Sequence, residues 1–201
     1  DTKIRSSKLN NVDFTTTKFL SNNEFAGSDM RGTTLPKNVL NTDFTNKQGI
    51  KNTKGADLRG VDLTNRDLSD AMFSLYPDTW LSQSSPLYNY QLRELLSPNL
   101  SGADLSGANL SGKNLSLIIA QGTIFKNADL SKADLRFSDL RNADLSKADL
   151  SKADLRFSDL RNADLSGADL TNANLEFAAL LNVILDNTIL KCINHPICKS
   201  G

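Results

Sequence analysis

Residues 131–146 read SKADLRFSDLRNADLS, and the same sixteen residues recur, shifted by twenty positions, as residues 151–166. Within each copy a leucine returns at every fifth position, and an alanine or serine stands two positions before it. Neither a helix of 3.6 residues per turn nor a strand of period two keeps a five-residue repeat on one face. We therefore expect five residues to form one side of a closed coil, and four sides to complete each coil.

The five-residue period extends far beyond these two copies. From Leu100 to Leu190 an apolar residue occupies every fifth position, which makes nineteen consecutive units of the form A-(D/N)-L-x-x. Coils stacked at the strand spacing of ~4.8 Å would place leucines twenty residues apart in one inward column. Such a column includes Leu140, Leu160 and Leu180.

This pattern resembles that of the pentapeptide repeat proteins. The resemblance covers residues 100–190, is less regular over residues 58–73, and is loose over residues 9–44. It implies an all-β solenoid, a right-handed quadrilateral β-helix, in which the central Leu or Phe and the small residue two before it point inward. Arg66 and Lys113 stand at small inward positions, where we expect distorted corners that let the charge reach water, because an unpaired buried cation is costly.

The chain is expected to form one continuous domain with four segments. These are irregular coils over residues 1–73, an insertion over residues 74–97, regular coils over residues 98–190 and a short C-terminal cap over residues 191–201. The cap is expected where the last coil would otherwise leave an open end.

The insertion differs in composition from the coils around it. Ser85 followed by Pro86 reads as a helix start and Pro98 as a stop, which predicts a helix over residues 86–96. The aromatic residues of the insertion either cover apolar surface of the β-helix or anchor a protein partner. They are all the tyrosines and the single tryptophan of the chain, namely Tyr76, Trp80, Tyr88 and Tyr90.

Outward positions also form columns at the interval of twenty residues. One column is apolar, with Arg136 and Arg156 beside it, and consists of Leu117, Phe137, Phe157 and Phe177. Stacking of these side chains would stabilise the solenoid, and an exposed apolar strip would equally suit contact with a partner protein. A second copy of the chain is one candidate partner, so a homodimer is one candidate assembly.

The aspartates form outward columns as well, for example Asp129, Asp149 and Asp169. Some bacterial members of the family imitate DNA with an acidic surface and bind type II topoisomerase, so the resemblance implies a DNA mimic as an alternative. However, residues 123–171 hold nine aspartates and eight lysines or arginines in alternating columns. Averaged over a Debye length of ~8 Å, that surface is close to neutral.

Cys192 and Cys198 lie near the C-terminus, on either side of His195, the single histidine. The two cysteines either close a disulfide or, with His195, supply three zinc ligands where a structural site uses four. A disulfide would favour an exported, lumenal or secreted protein. Since catalytic triads and histidine-rich metal sites need histidines in a cleft and the chain has a single histidine, the sequence predicts no catalytic residue, no metal site and no cofactor.

Charge and hydropathy argue against binding to nucleic acid and against a segment that spans a membrane. The 23 basic and 23 acidic residues give no net charge to attract nucleic acid, and no apolar run approaches the ~20 residues that span a bilayer. The first residue is Asp1, which suggests a processed chain or a piece of a longer one. We expect a non-enzymatic protein–protein interaction scaffold, as part of a larger secreted or effector protein, with a DNA mimic or a purely structural spacer as alternatives.

Overall fold

In the computed structural model, the described residues are 7–14, 25, 28–30, 33 and 99–198. Residues 99–198 form a four-sided coil in which each side contributes one isolated parallel β-bridge, and no described residue lies in a helix or a longer strand. As far as Ile189 the bridges join residues twenty positions apart, as in Asp129 with Asp149 and Asp149 with Asp169. The expected coil of four sides and twenty residues is thereby confirmed.

The backbone of each five-residue unit is bonded both to the next coil and to its own turn. The Leu130 N–H donates to the Asp149 carbonyl at 2.8 Å, and the Asp149 N–H donates back to the Ala128 carbonyl at 3.0 Å. The Ala133 N–H donates to the Leu130 carbonyl at 3.0 Å and closes the β-turn between two sides. These bonds satisfy backbone groups that the narrow core would otherwise leave without partners.

The inward columns form a dry core of leucine and small residues. Leu150 and Leu155 are fully buried, and so are their neighbours along the columns. Inward hydroxyls are also satisfied, since Ser138 Oγ donates to the Leu135 carbonyl at 2.6 Å and Thr123 Oγ1 donates to a backbone carbonyl of the preceding coil at 2.7 Å. The predicted assignment of inward positions is confirmed, and serine and threonine substitute for alanine because each finds a carbonyl acceptor.

Lys113 does not distort the coil as the sequence suggested. Its N–H donates to the Leu110 carbonyl at 3.1 Å, and its carbonyl accepts from the Asp134 N–H at 2.9 Å, as in any regular unit. The residue is half-buried, so the long side chain reaches the surface from a regular backbone. Arg66 lies outside the described residues.

The described N-terminal residues pair in a slightly longer register. Lys8 forms a parallel bridge with Asp29, twenty-one positions later, and the Leu9 N–H donates to the Asp29 carbonyl at 2.8 Å. One residue more than in the regular coil agrees with the six-residue spacing between Phe19 and Phe25 in the sequence. The insertion and its predicted helix over residues 86–96 lie outside the described residues.

The C-terminal tail continues the pairing with one residue fewer than the regular coil. Ile193 bridges Asn174, and the Leu175 N–H donates to the Ile193 carbonyl at 3.1 Å. Cys192 is buried in the core cluster and forms a disulfide with Cys198, with the two Cα atoms 4.9 Å apart. The tail is therefore attached to the last coil by backbone pairing, and the disulfide closes a loop within the tail.

Candidate interaction surface

Three phenylalanines on successive coils stack into a column that we call the aromatic ladder: Phe137, Phe157 and Phe177. The ring centroids of Phe137 and Phe157 are 4.8 Å apart and the ring planes differ by 2°. Those of Phe157 and Phe177 are 5.0 Å apart, with planes 22° apart. The coil spacing thus brings rings that are twenty residues apart in sequence into direct face-to-face contact.

The ladder occupies the turn position at which the backbone is left-handed. The φ angles of Phe137, Phe157 and Phe177 are 57°, 59° and 57°, whereas other turns place a glycine, an asparagine or a lysine at this position, as at Gly102, Asn142 and Lys132. Glycine and asparagine adopt positive φ readily, while a bulky side chain there costs about 1–2 kcal/mol. Ring stacking offsets part of this cost, at about 0.5–1.5 kcal/mol per pair beyond simple burial. Because the turn does not require an aromatic residue, the phenylalanines favour a role for the ladder beyond forming the turn.

Exposure of the column increases towards the C-terminus. Phe137 is half-buried, Phe157 is 45% exposed and Phe177 is 69% exposed. Leu117, the fourth residue of the predicted column, is only 2% exposed, so the expectation of an exposed side chain there is wrong. A repeat pattern fixes the direction in which a side chain leaves the coil, but it does not reveal whether that corner is covered in the folded chain.

The arginines beside the ladder are held by aspartates two positions earlier. Arg136 donates to Asp134 from Nε at 2.8 Å and from Nη2 at 2.6 Å, and Arg156 makes the same bidentate pair with Asp154. The hydrogen bonds to Asp154 raise the pKa of Arg156. These arginines therefore form a fixed polar border along the ladder, with geometry that a lysine would not reproduce.

A second pair of such contacts lies on the neighbouring side of the coil. Arg141 pairs with Asp139 and Arg161 with Asp159, at 2.8 and 2.6 Å. The Asp139 side chain is only 4% exposed and also accepts from Gln121 Nε2 at 2.8 Å. Burial alone would raise the pKa of Asp139, but the hydrogen bonds from Arg141 and Gln121 outweigh burial and lower it. The same balance of burial against the Arg161 hydrogen bonds lowers the pKa of Asp159.

The aspartate columns have a local function that the sequence reasoning missed. Asp149 Oδ1 accepts from the Ser151 N–H at 2.8 Å, and Asp129 Oδ1 accepts from the Ser131 N–H at 2.9 Å. Asn109 makes the same contact with the Ser111 N–H, so the bond needs the oxygen but not the charge. The interchange of Asp and Asn within one repeat was the available signal, since both residues favour such turns.

The other predicted site residues are the aromatic residues of the insertion and the two cysteines. Tyr76, Trp80, Tyr88 and Tyr90 lie outside the described residues. Cys192 and Cys198 are joined in a disulfide, so neither supplies the thiolate that the zinc alternative requires. Within the described part of the chain no group of side chains is arranged to hold a metal ion, and no helix there is long and apolar enough to cross a bilayer.

Comparison with known proteins identifies the repeat. The sequence matches the family model described as pentapeptide repeats, with eight copies that lie in residues 99–136, 128–167 and 148–187. No curated protein matches the sequence.

Several solved structures are similar to this chain. Rfr23, a pentapeptide repeat protein from the cyanobacterium Cyanothece 51142, is 31% identical, with 66% of this chain and 86% of that chain covered and a TM-score of 0.47. HetL from Nostoc sp. strain PCC 7120, which is involved in heterocyst differentiation regulation, is 23% identical, with 96% and 89% covered and a TM-score of 0.29. A pentapeptide repeat protein from the Arabidopsis thaliana thylakoid lumen is 36% identical, with 47% and 63% covered and a TM-score of 0.26.

Proposed function

Because the chain belongs to the pentapeptide repeat family, whose members fold as right-handed β-helices, we propose that it is a non-catalytic module that binds another protein through the aromatic ladder. Members of this family are generally non-enzymatic structural or interaction proteins. The observation that carries the proposal is the exposure of Phe157 and Phe177 at turn positions that do not require an aromatic residue.

The surroundings of the ladder resemble the composition of a protein interface. Exposed aromatic rings form its centre, and the paired arginines Arg136 and Arg156 form its edge. Aromatic residues and arginine are enriched where binding energy is concentrated, and a polar rim around them excludes water. Since Arg136 and Arg156 already have carboxylate partners, the rings supply the affinity and the arginines fix the orientation.

The test measures binding and self-association together. Phe157→Ala is compared with Leu181→Ala, which removes a 66% exposed apolar side chain from another corner of the solenoid. We expect Phe157→Ala to weaken partner capture by tenfold or more, because an aromatic hot spot contributes about 2 kcal/mol. Leu181→Ala should bind as the wild type does. Pull-down reports a different partner protein, and analytical ultracentrifugation reports a second copy of the chain.

Three results would count against the ladder as the interface. If Phe157→Ala lowers stability while capture and self-association stay unchanged, the ladder is structural and the module is a spacer. If Trp80→Ala abolishes capture and Phe157→Ala does not, the insertion of residues 74–97 is the binding element. If Phe157→Ala and the control Leu181→Ala lose binding equally, the contact is not specific to the ladder.

The DNA-mimic alternative has less support from the acidic columns. Asp129 and Asp149 use one carboxylate oxygen for the turn, and their column alternates with lysines and arginines. A DNA-like surface needs a continuous negative field, which interspersed cations weaken within a Debye length. Inhibition of gyrase supercoiling by the purified chain would favour this alternative over the ladder.

We also propose that the protein resides in an oxidising compartment, outside the cell or in a lumen. The disulfide between Cys192 and Cys198 supports this, since such bonds persist where thiols are not kept reduced. Alkylation of the freshly extracted protein followed by mass spectrometry tests it. Recovery of both cysteines as alkylated thiols would contradict the proposal.

A further inference from the structure

The C-terminal end of the aromatic ladder forms one wall of an open groove of about 570 Å³. Glu176 and Phe177 line one side, and residues 194–196 of the tail line the other. The groove thus lies between a corner of a regular coil and the tail segment that follows the last repeat unit.

The two walls are fixed to each other by Asn174. Its Oδ1 accepts from the Glu176 N–H at 3.1 Å and from Asn194 Nδ2 at 3.2 Å. The disulfide between Cys192 and Cys198 closes the loop that carries the second wall. A groove whose walls are held in this way needs little ordering when a ligand binds.

Of the polar side chains that line the groove, Glu176 and Asn194 offer acceptors and His195 offers a donor. Glu176 contributes a carboxylate. The Asn194 amide donates to Asn174 through Nδ2, so its oxygen remains as a second acceptor. His195 Nδ1 accepts from the Ile197 N–H at 3.3 Å, so in the neutral ring the proton is on Nε2. Phe177, which is 69% exposed, provides the apolar surface beside these groups.

The local charge differs from that of the preceding coils. In the two coils before, this part of the turn carries an aspartate and an arginine that neutralise each other, as in Asp154 with Arg156. At the groove the equivalent residues are Asn174 and Glu176, which leave one negative charge. Among the described residues no cation lies within 4 Å of the Glu176 carboxylate; Arg156 attracts it electrostatically from a greater distance but is hydrogen-bonded to Asp154.

We propose that this groove binds an arginine side chain presented by the partner protein. The guanidinium donates to the Glu176 carboxylate and the Asn194 amide oxygen while its plane lies over the Phe177 ring. Carboxylate and aromatic face are the two partners that guanidinium groups prefer, and the planar group uses both at once. This inference deepens the proposed function, since it gives the chemistry of a partner residue at the end of the ladder.

The experiment uses a small probe, so that it does not depend on the partner. The ¹⁵N-labelled chain is titrated with N-acetyl-arginine methylamide, and the lysine and citrulline analogues serve as comparisons. We expect the amide signals of Glu176, Phe177 and His195 to shift, with a dissociation constant on the order of millimolar. The lysine analogue should bind more weakly, and the uncharged citrulline analogue should cause no saturable shift.

Matched variants assign the contacts. Glu176→Gln should abolish saturable binding, whereas Asp186→Asn, which removes an exposed carboxylate of the same coil outside the groove, should leave it unchanged. Phe177→Leu should weaken binding by about two- to fivefold, the contribution expected of an exposed cation–π contact. Thermal unfolding of each variant verifies that the fold is retained.

Equal binding of arginine and citrulline analogues, equal effects of Glu176→Gln and Asp186→Asn, or shifts that do not saturate would each overturn the inference. Lysine binding as tight as arginine binding would overturn the choice of arginine. Because partner capture by Phe157→Ala is measured separately, failure of the groove and failure of the ladder as an interface give different results.

Discussion

The middle coils and the last coil are built from the same five-residue unit but differ in burial and in outward residues. In the middle coils the central leucines, such as Leu150, are fully buried, and aspartate or asparagine usually precedes them. In the last coil the central Leu185 and Leu190 are only partly buried. The residues that precede these two leucines are apolar, and both of them, Ile184 and Ile189, are exposed.

This difference shows that a unit is stabilised mainly by its neighbours. A middle leucine is enclosed by the coils twenty residues before and after it, whereas among the described residues the last coil pairs with a regular coil on one side only. In repeat proteins each unit contacts its nearest neighbours, so stability is a sum of local terms. The same substitution should therefore have different effects in the two regions.

The largest expected effect comes from placing a charge in the core. Leu150→Asp would bury a carboxylate among stacked leucines and cost more than about 4 kcal/mol. Leu185→Asp should cost less than half as much, because its carboxylate reaches water at the open side of the last coil. Urea unfolding followed by circular dichroism measures both variants, and equal losses would contradict the nearest-neighbour interpretation.

Removal of the disulfide should destabilise the last coil alone. Replacing both Cys192 and Cys198 by alanine should cost about 2 kcal/mol, the value expected for a short closed loop. The loss should appear as faster hydrogen exchange at the Leu175 and Asn172 amides, which donate to Ile193 and Lys191 of the tail. The Leu150 amide serves as an internal reference. Faster exchange there as well would mean that the tail stabilises the whole solenoid.

A smaller effect is expected from the turn oxygens. Asp149→Ala removes the acceptor of the Ser151 N–H and should cost about 1 kcal/mol, while Asp149→Asn should stay within a few tenths. Ile189 occupies the same column in the last coil and has no such oxygen, so Ile189→Ala is the matched control for the loss of side-chain volume. A loss in Asp149→Asn as large as in Asp149→Ala would assign the stability to charge instead.

The smallest effect is expected in acid. The pKa values of Asp139 and Asp159 are lowered in the folded chain, so both carboxylates stabilise it above their ordinary pKa of 3.8, and this stability is lost as the pH falls below 3.8. The exposed arginine partners keep the effect small through solvent screening. Asp139→Asn combined with Asp159→Asn should flatten the stability profile between pH 4 and pH 2. In the last coil this column continues as Ala179, which has no proton to gain.

The periods of five and twenty were sufficient to predict the coil, its four sides and the inward columns, because a narrow core accepts only leucine and small residues at fixed intervals. The pairing of Arg136 with Asp134 was not predicted, since columns describe neighbours on successive coils and this contact lies within one unit. The groove beside Phe177 depends on residues 194–196 of the tail, which follow the repeat. The register of the tail, with its one-residue shift at Ile193, has no periodic signal.

The pairing of every regular coil at an interval of twenty residues constrains how the gene can change in length. An insertion or deletion of twenty codons adds or removes one whole coil, and every later column stays in line. A change of five codons would turn all later columns by one face and separate the rings of Phe137 and Phe157. The identical segments at residues 131–146 and 151–166 have the form that duplication of one coil leaves. A further duplication of the coil of residues 131–150 would add another phenylalanine ring and another arginine along the same face.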